Sequence, residues 1–215
     1  MKLVSINISL AIDIEYNNKT ISTGIFKKPV NSDVTISSTG LHGDQQVDLK
    51  NHGGEHKAVY GFSADHYDYW RKTLHNPELA FGQFGENLTI TGLDEALLCI
   101  GDQLQIGSCI LEITQPRVPC FKLGIALDLK EMPTLFVQHG TTGIYFRVLQ
   151  AGAVSAGDSI QLIYQQPKQL TVQTLFKAYF DRGFIEPEHV LKLAAEIPEL
   201  STEWRTKVLS RLAKA

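Results

Sequence analysis

Cysteine is scarce in this chain of 215 residues: Cys99, Cys109 and Cys120 are an odd set of 3 with no Cys-x-x-Cys pair. That argues against a disulfide framework, a zinc knuckle and a four-cysteine iron–sulfur site. A reducing compartment fits, so the cytoplasm is the expected location. Long apolar runs are also missing, and none approaches the ~20 residues that a membrane helix needs. The stretch from Met1 to Glu15 is apolar, yet Ser5, Asn7, Ser9 and Asp13 interrupt it and no small-residue cleavage site follows, so it reads as a strand rather than a signal peptide. An excess of basic charge is lacking too: 20 Lys and Arg face 23 Asp and Glu, for a net charge of -3 and a pI near 6.2. A general nucleic-acid or anionic-membrane surface is therefore not expected, and any anion site has to be a pocket. Low-complexity tracts and internal repeats are absent as well. With 43% hydrophobic and 20% charged residues, the chain can bury a core without crosslinks.

What is present concentrates in Thr114-Gln-Pro-Arg-Val-Pro-Cys120, which places a sulfur, a fixed positive charge and two conformational locks within a few residues. Pro116 and Pro119 fix their own φ and push Gln115 and Val118 toward extended geometry, so the segment reads as a stiff bend. Arg117 and Lys122 are cations near Cys120, and neighbouring cations favour the thiolate that attacks electrophiles or binds soft metals. The alternative is a half-buried structural cysteine in a proline-rich turn.

Along the chain, Lys2 to Ile14, Thr20 to Val30 and Val34 to Ser37 read as strands, giving a hairpin-rich β start. Lys19, Lys27 and Lys28 with Ser22 and Thr23 form a donor cluster suited to phosphate, or else a solvated strand edge where lysines discourage aggregation. Glycines at 40, 43, 53 and 54 bracket His42 and His52, and His52 reads either as a donor to a ligand or as a loop residue satisfying its neighbours. Lys57 to Gly61 is a short strand, and Ser63 can cap a helix running to Leu74. Asn87, with Glu86 beside it, offers both a donor and an acceptor before a strand from Leu88 to Thr91. Leu97–Ile100, Leu104–Ile106, Cys109–Thr114, Ile144–Gln150 and Ser159–Tyr164 follow as short strands with the rhythm of a small β-barrel, and a short helix falls between Lys122 and Phe136. Arg147 interrupts an apolar strand, which demands an anionic partner, either a carboxylate or a ligand phosphate. After Gln165 the period changes, and three helices are expected over Thr171–Phe180, Glu186–Glu196 and Ser201–Ala213. So few residues cannot build a large independent core, so this bundle should dock on the barrel or on a second subunit, as in a homodimer.

The motifs at 23–29 (Thr-Gly-Ile-Phe-Lys-Lys-Pro), 40–44 (Gly-Leu-His-Gly-Asp), 51–54 (Asn-His-Gly-Gly), 84–88 (Phe-Gly-Glu-Asn-Leu), 100–102 (Ile-Gly-Asp) and 115–120 (Gln-Pro-Arg-Val-Pro-Cys) occur in an order and spacing that resemble MOSC-domain proteins of the YiiM group. The resemblance covers residues 1–164, and the tail, residues 165–215, resembles the three-helix domain that follows in that group. It implies a mainly β fold with peripheral helices: a MOSC-like β-barrel plus a small C-terminal three-helix domain.

The same resemblance implies binding of molybdenum cofactor (molybdopterin), a pterin dithiolene with a phosphate, together with a family-level association with pyridoxal phosphate. By position, Cys120 matches the cysteine that ligates molybdenum or carries sulfur, and Arg117 matches its neighbouring arginine. His52, Gly53, Asn87, Thr23, Lys27 and Lys28, with Lys19 upstream, match the pocket region, and Arg147 matches it approximately. The implied activity is reduction of N-hydroxylated small molecules, such as 6-N-hydroxylaminopurine, with electrons from a separate redox protein. The alternative is a cofactor-binding or sulfur-carrier module without reductase activity.

Overall fold

In the computed structural model, residues 1–47 and 53–214 are described. Thirteen strands and six helices are found among them: β1 Lys2–Ile8, β2 Ile12–Tyr16, β3 Lys19–Thr23, β4 Lys28–Val30, β5 Val34–Ser37, β6 Gly40–Leu41, β7 Val59–Ser63, α1 Tyr67–Thr73, β8 Leu88–Thr91, β9 Gln103–Ile106, β10 Cys109–Pro116, α2 Phe121–Ala126, α3 Met132–His139, β11 Ile144–Gln150, β12 Gly152–Val154, β13 Ile160–Tyr164, α4 Val172–Phe180, α5 Pro187–Ala195 and α6 Thr202–Leu212. Eight strands join in the order β13-β9-β10-β11-β7-β8-β1-β4, antiparallel except for the parallel pair β7 and β8. The sheet closes on itself: the Leu3 N–H donates to Asp158 O at 2.9 Å, Gly157 N–H to Leu3 O at 2.7 Å and Ile160 N–H to Met1 O at 3.0 Å. Closure covers most of the edge that a free sheet would present and leaves the short β4 beside β1 at the margin. A small sheet, β12-β5-β6, and a hairpin, β2-β3, flank the barrel.

The expected strand over Lys2–Ile14 is two strands, because Ser9 leaves the ladder to donate its N–H to Asp44 Oδ1 at 2.8 Å. The strand expected over Thr20–Val30 likewise breaks after Thr23. At Gly24 a Cβ would lie 2.3 Å from Gln45 O, so the close approach of two backbones replaces pairing there. Leu97–Ile100 is not a strand but a turn with one isolated bridge, Cys99 to Thr171. The region between Lys122 and Phe136 holds parts of two helices, and Ser63 caps a short 3-10 turn that runs into α1.

One apolar core runs from the barrel (Leu3, Ile6, Ile90, Ile113, Phe146) into the three terminal helices (Leu175, Phe176, Leu191, Trp204, Val208) without a gap. The helices therefore dock on the barrel, and the core that they could not build alone is shared with it. Their starts follow local chemistry: Thr171 accepts from the Thr174 N–H at 3.1 Å, Ser201 accepts from the Trp204 N–H at 3.2 Å, and Pro187 opens α5. A second, aromatic cluster of Tyr60, Phe62, Tyr67, Trp70, Phe84 and Phe136 packs α1, α2 and α3 against β7.

Candidate functional site

Strand β10 ends at Pro116, and residues 117–120 run without regular structure into α2. The two prolines account for the stiffness of this linker, and tertiary bonds fix its position. The Arg117 N–H donates to Gly143 O at 3.0 Å, and the Thr142 hydroxyl donates to Arg117 O at 2.6 Å. From the helical side, Trp204 Nε1–H donates to Pro116 O at 3.1 Å and the Ser201 N–H to Thr114 O at 3.1 Å. Cys120 is thus held between two domains. Its side chain is half-buried, and none of the three cysteines forms a disulfide. Cys99 and Cys109 are buried, and burial pushes both thiols up to about 11, which keeps them protonated and inert.

Arg117 is only 5% exposed. Its guanidinium lies 4.8 Å from the Tyr60 ring centroid and 5.5 Å from that of Phe136. Burial works against the charge, but Tyr60, Tyr145, Cys120 and Glu86 outweigh it and hold the pKa above the ordinary arginine value. The cation persists. Nη1 is nevertheless buried with no hydrogen-bond partner, and no carboxylate among the described residues forms an ion pair with Arg117. The unpaired N–H of this buried cation is a donor that an anionic ligand could take up.

A pocket of about 90 Å³ opens beside Arg117 and Cys120. Thr23, Gly24, Ile25 and Lys27 form one wall, and residues 44–47 with Gly85 and Asn87 form a second. Lys57, Tyr60, Lys122 and Tyr145 complete it. Lys27 Nζ lies 2.5 and 2.6 Å from the two Asp44 oxygens, so its charge is matched inside the protein. Burial lowers the Lys27 pKa although Asp44 pulls it upward. Asn87 acts as a brace: Nδ2–H donates to Asp44 Oδ2 at 2.9 Å while Oδ1 accepts the Tyr60 N–H at 3.2 Å. Lys57 bonds Glu203 on α6, which brings a carboxylate of the helical domain to the rim.

Six of the residues singled out from the sequence therefore converge: Thr23, Lys27, Asn87, Arg117, Cys120 and Lys122. Lys19 and Lys28 are exposed on β3 and the edge strand β4, and neither lines the pocket, which matches the solvated-edge reading of these two. Gly53 is also outside the lining. His52 lies outside the described residues. Arg147 meets Glu112 across β10 and β11 at 2.5 Å, which answers its need for an anion with a carboxylate and places it away from the pocket.

Lys57, Tyr60, Asp44 and Glu95 carry parts of the site that the sequence did not single out. Glu95, 1% exposed, accepts the Gly143 N–H at 2.8 Å and the Thr142 N–H at 3.2 Å, and so fixes the loop that grips Arg117. Burial raises its pKa to about 7, with the two backbone bonds offsetting only part of that shift. A charged residue beside an apolar run was the available signal for Lys57. An isolated glutamate in a turn gives none.

Among the described residues no group of three or more His, Cys, Asp or Glu side chains could hold a metal ion. Cys120 can supply a single soft ligand, so a metal here has to arrive with other ligands attached. Among the described residues no helix is long and apolar enough to cross a membrane.

The chain matches the model of the MOSC domain over residues 48–161 and that of the YiiM-like 3-alpha helix domain over residues 170–215. It is 39% identical over 211 residues to the uncharacterized protein YflK of Bacillus subtilis, covering 97% of this chain and 93% of YflK. A protein of Gibberella moniliformis named reductase is 34% identical over 164 residues, covering 74% of this chain and 29% of that longer protein. The crystal structure of YiiM from Geobacillus stearothermophilus superimposes with a TM-score of 0.81 at 31% identity over 98% of both chains. With the barrel, the docked helices and the Arg117–Cys120 pocket described, the match of both family models shows that this chain belongs to the MOSC-domain family, with the YiiM-like three-helix domain at its end.

Proposed function

We propose that this protein binds molybdenum cofactor in the Arg117–Cys120 pocket and reduces N-hydroxylated small molecules. The observation that carries the proposal is the buried guanidinium of Arg117, which keeps one N–H group unpaired beside a half-buried thiol. The donor set fits the group. Arg117 and Lys122 offer N–H donors for its phosphate, and Cys120 offers the soft ligand that molybdenum accepts. When bound, the cofactor supplies two-electron chemistry: with two electrons and two protons, an N–OH group becomes N–H and one water is released.

The protein's own contribution is placement. Tyr60 and Phe136 hold the guanidinium plane, Thr142, itself fixed by Glu95, holds the backbone of Arg117, and Trp204 holds the strand end that leads to Cys120. Each clamp uses a bond that is complete before any ligand arrives, so the site is preorganised. Electrons come from a separate redox protein in this reading. The reductase name of the fungal relative is consistent with such chemistry.

The test is quantification of molybdenum and pterin in protein purified from a host that makes the cofactor, followed by reduction of 6-N-hydroxylaminopurine with reduced methyl viologen. Stoichiometric molybdenum, turnover with viologen, none with NADPH alone, and loss of both metal and turnover in Cys120→Ser are the expected results. Persulfide on Cys120 without turnover would replace this reading with a sulfur carrier.

A further inference from the structure

Cys120 has a second cavity beside it. The first pocket and this one, of about 120 Å³, share Lys57, Cys120 and Tyr145, but the second lies toward the helical domain and is bounded by Gln115, Val118, Pro119 and Glu203. Its roof belongs to α6, where Glu203 bonds Lys57 on the barrel and, 3.2 Å away, Lys207 one turn further along the helix. Burial pushes the Glu203 carboxyl up, but Lys57 and Lys207 hold it below the usual carboxylate range, so the roof is charged and already paired.

The side chain that is not satisfied is Gln115. It is 1% exposed, its Oε1 is buried with no hydrogen-bond partner, and its Nε2–H makes only a long 3.5 Å contact with Pro116 O. A buried carbonyl left without a donor costs about 1–3 kcal/mol, and a strand interior offers many apolar residues that would avoid that cost. Val118 and Pro119 beside it have no side-chain N–H or O–H group, and the donors elsewhere in the cavity, on Lys57, Tyr145 and Lys207, make no hydrogen bond to it.

We infer that this cavity is the substrate chamber of the site, and that Gln115 Oε1 accepts a hydrogen bond from an N–H or O–H group on the head of a small planar ligand. The inference rests on the proposed reductase reading for the identity of the ligand, but not for the existence of the chamber. The volume sets the size: an engineered cavity of about 150 Å³ holds one benzene, so this chamber takes a single ring edge with its donor group and leaves the remainder of the molecule outside. Cys120 lines both cavities, so a head group seated against Gln115 would meet this residue from a cavity that Arg117 does not line. Gln115 is on this account a specificity-determining residue. It rejects an analogue lacking the donor, because its carbonyl then remains unpaired.

The experiment is calorimetric titration of the purified full chain with 6-N-hydroxylaminopurine and with 6-methoxypurine, which lacks the exocyclic donor. The unmodified protein should bind the first at least about 10-fold more tightly, a difference of roughly 1.4 kcal/mol. Gln115→Leu should bind both equally, with unchanged affinity for 6-methoxypurine and a melting temperature no lower than before. Gln115→Met gives the same readout if the leucine variant does not fold. Equal binding of both purines by the unmodified protein, binding of neither, or a lowered melting temperature with discrimination intact would each overturn the inference. Because the titration needs no molybdenum, protein that discriminates but neither takes up molybdenum in a cofactor-making host nor turns over with viologen would sink the reductase reading while leaving the chamber standing.

Discussion

Arg117 and Tyr60 form a clamp in which the guanidinium lies 4.8 Å from the ring centroid while the tyrosine hydroxyl donates to Thr142 O at 2.8 Å. The ring can neither tilt nor withdraw without breaking that bond. The cation is thereby kept in the pocket despite its burial, and the arrangement leads to the first prediction.

Inorganic phosphate should stabilise the unmodified protein and not Arg117→Met. At a phosphate concentration of about 100 times Kd, the expected gain is ~3 kcal/mol, readable as a rise in melting temperature. The substituted protein should itself keep its stability to within about 1 kcal/mol, since an apolar side chain replaces a buried charge that lacks an anion. An equal phosphate effect in both proteins would remove Arg117 from the anion site.

Arg147→Met should behave in the opposite way. Glu112, only 4% exposed, would lose its partner, and breaking a buried pair of this kind costs roughly 3 kcal/mol. The partial exposure of Arg147 makes that an upper figure. Bound molybdenum per folded chain should not change. Denaturant unfolding and metal analysis together separate this structural role from a ligand role.

Glu95 makes stability depend on pH. Its carboxyl titrates near 7 in the folded chain, against 4.5 as the ordinary value. Between those limits the folded state binds more protons than the unfolded one, so stability falls as pH rises and the loss is complete above pH 7. The shift corresponds to about 3 kcal/mol. Glu95→Gln should flatten this slope in denaturant melts from pH 5 to pH 8. An unchanged slope would mean that Glu95 is ionised throughout.

Gly143→Ala should destabilise the protein by about 3 kcal/mol or more. The residue has φ +88, and a Cβ there would lie 2.5 Å from Tyr60 Cε2 and 2.6 Å from Gly61 O. Phosphate protection should weaken in parallel, because the same loop holds Arg117. A variant of normal stability would show that the loop can move aside.

Much of this arrangement was readable from the chain. The glycine-rich turns, the proline-locked bend before Cys120 and the three terminal helices follow from local chemistry, which sequence records directly. Strand ends were harder, because Ser9 leaves its ladder for Asp44, a partner far along the chain. The roles of Lys27, Asn87 and Arg147 were harder still. Each residue type suits a ligand, but Asp44 and Glu112 claim these groups through tertiary contacts that no local pattern encodes. Glu95 is the extreme case: a lone charge in a turn discloses its burial only once the elements around it are assembled.

The barrel is sealed where Lys2 meets Ser159. During synthesis the first strand leaves the ribosome early and has to wait, unsealed on one side, until almost the whole barrel has been translated. Closing the barrel therefore has to wait for a pairing across more than 150 residues of chain, the kind of long-range contact that slows folding.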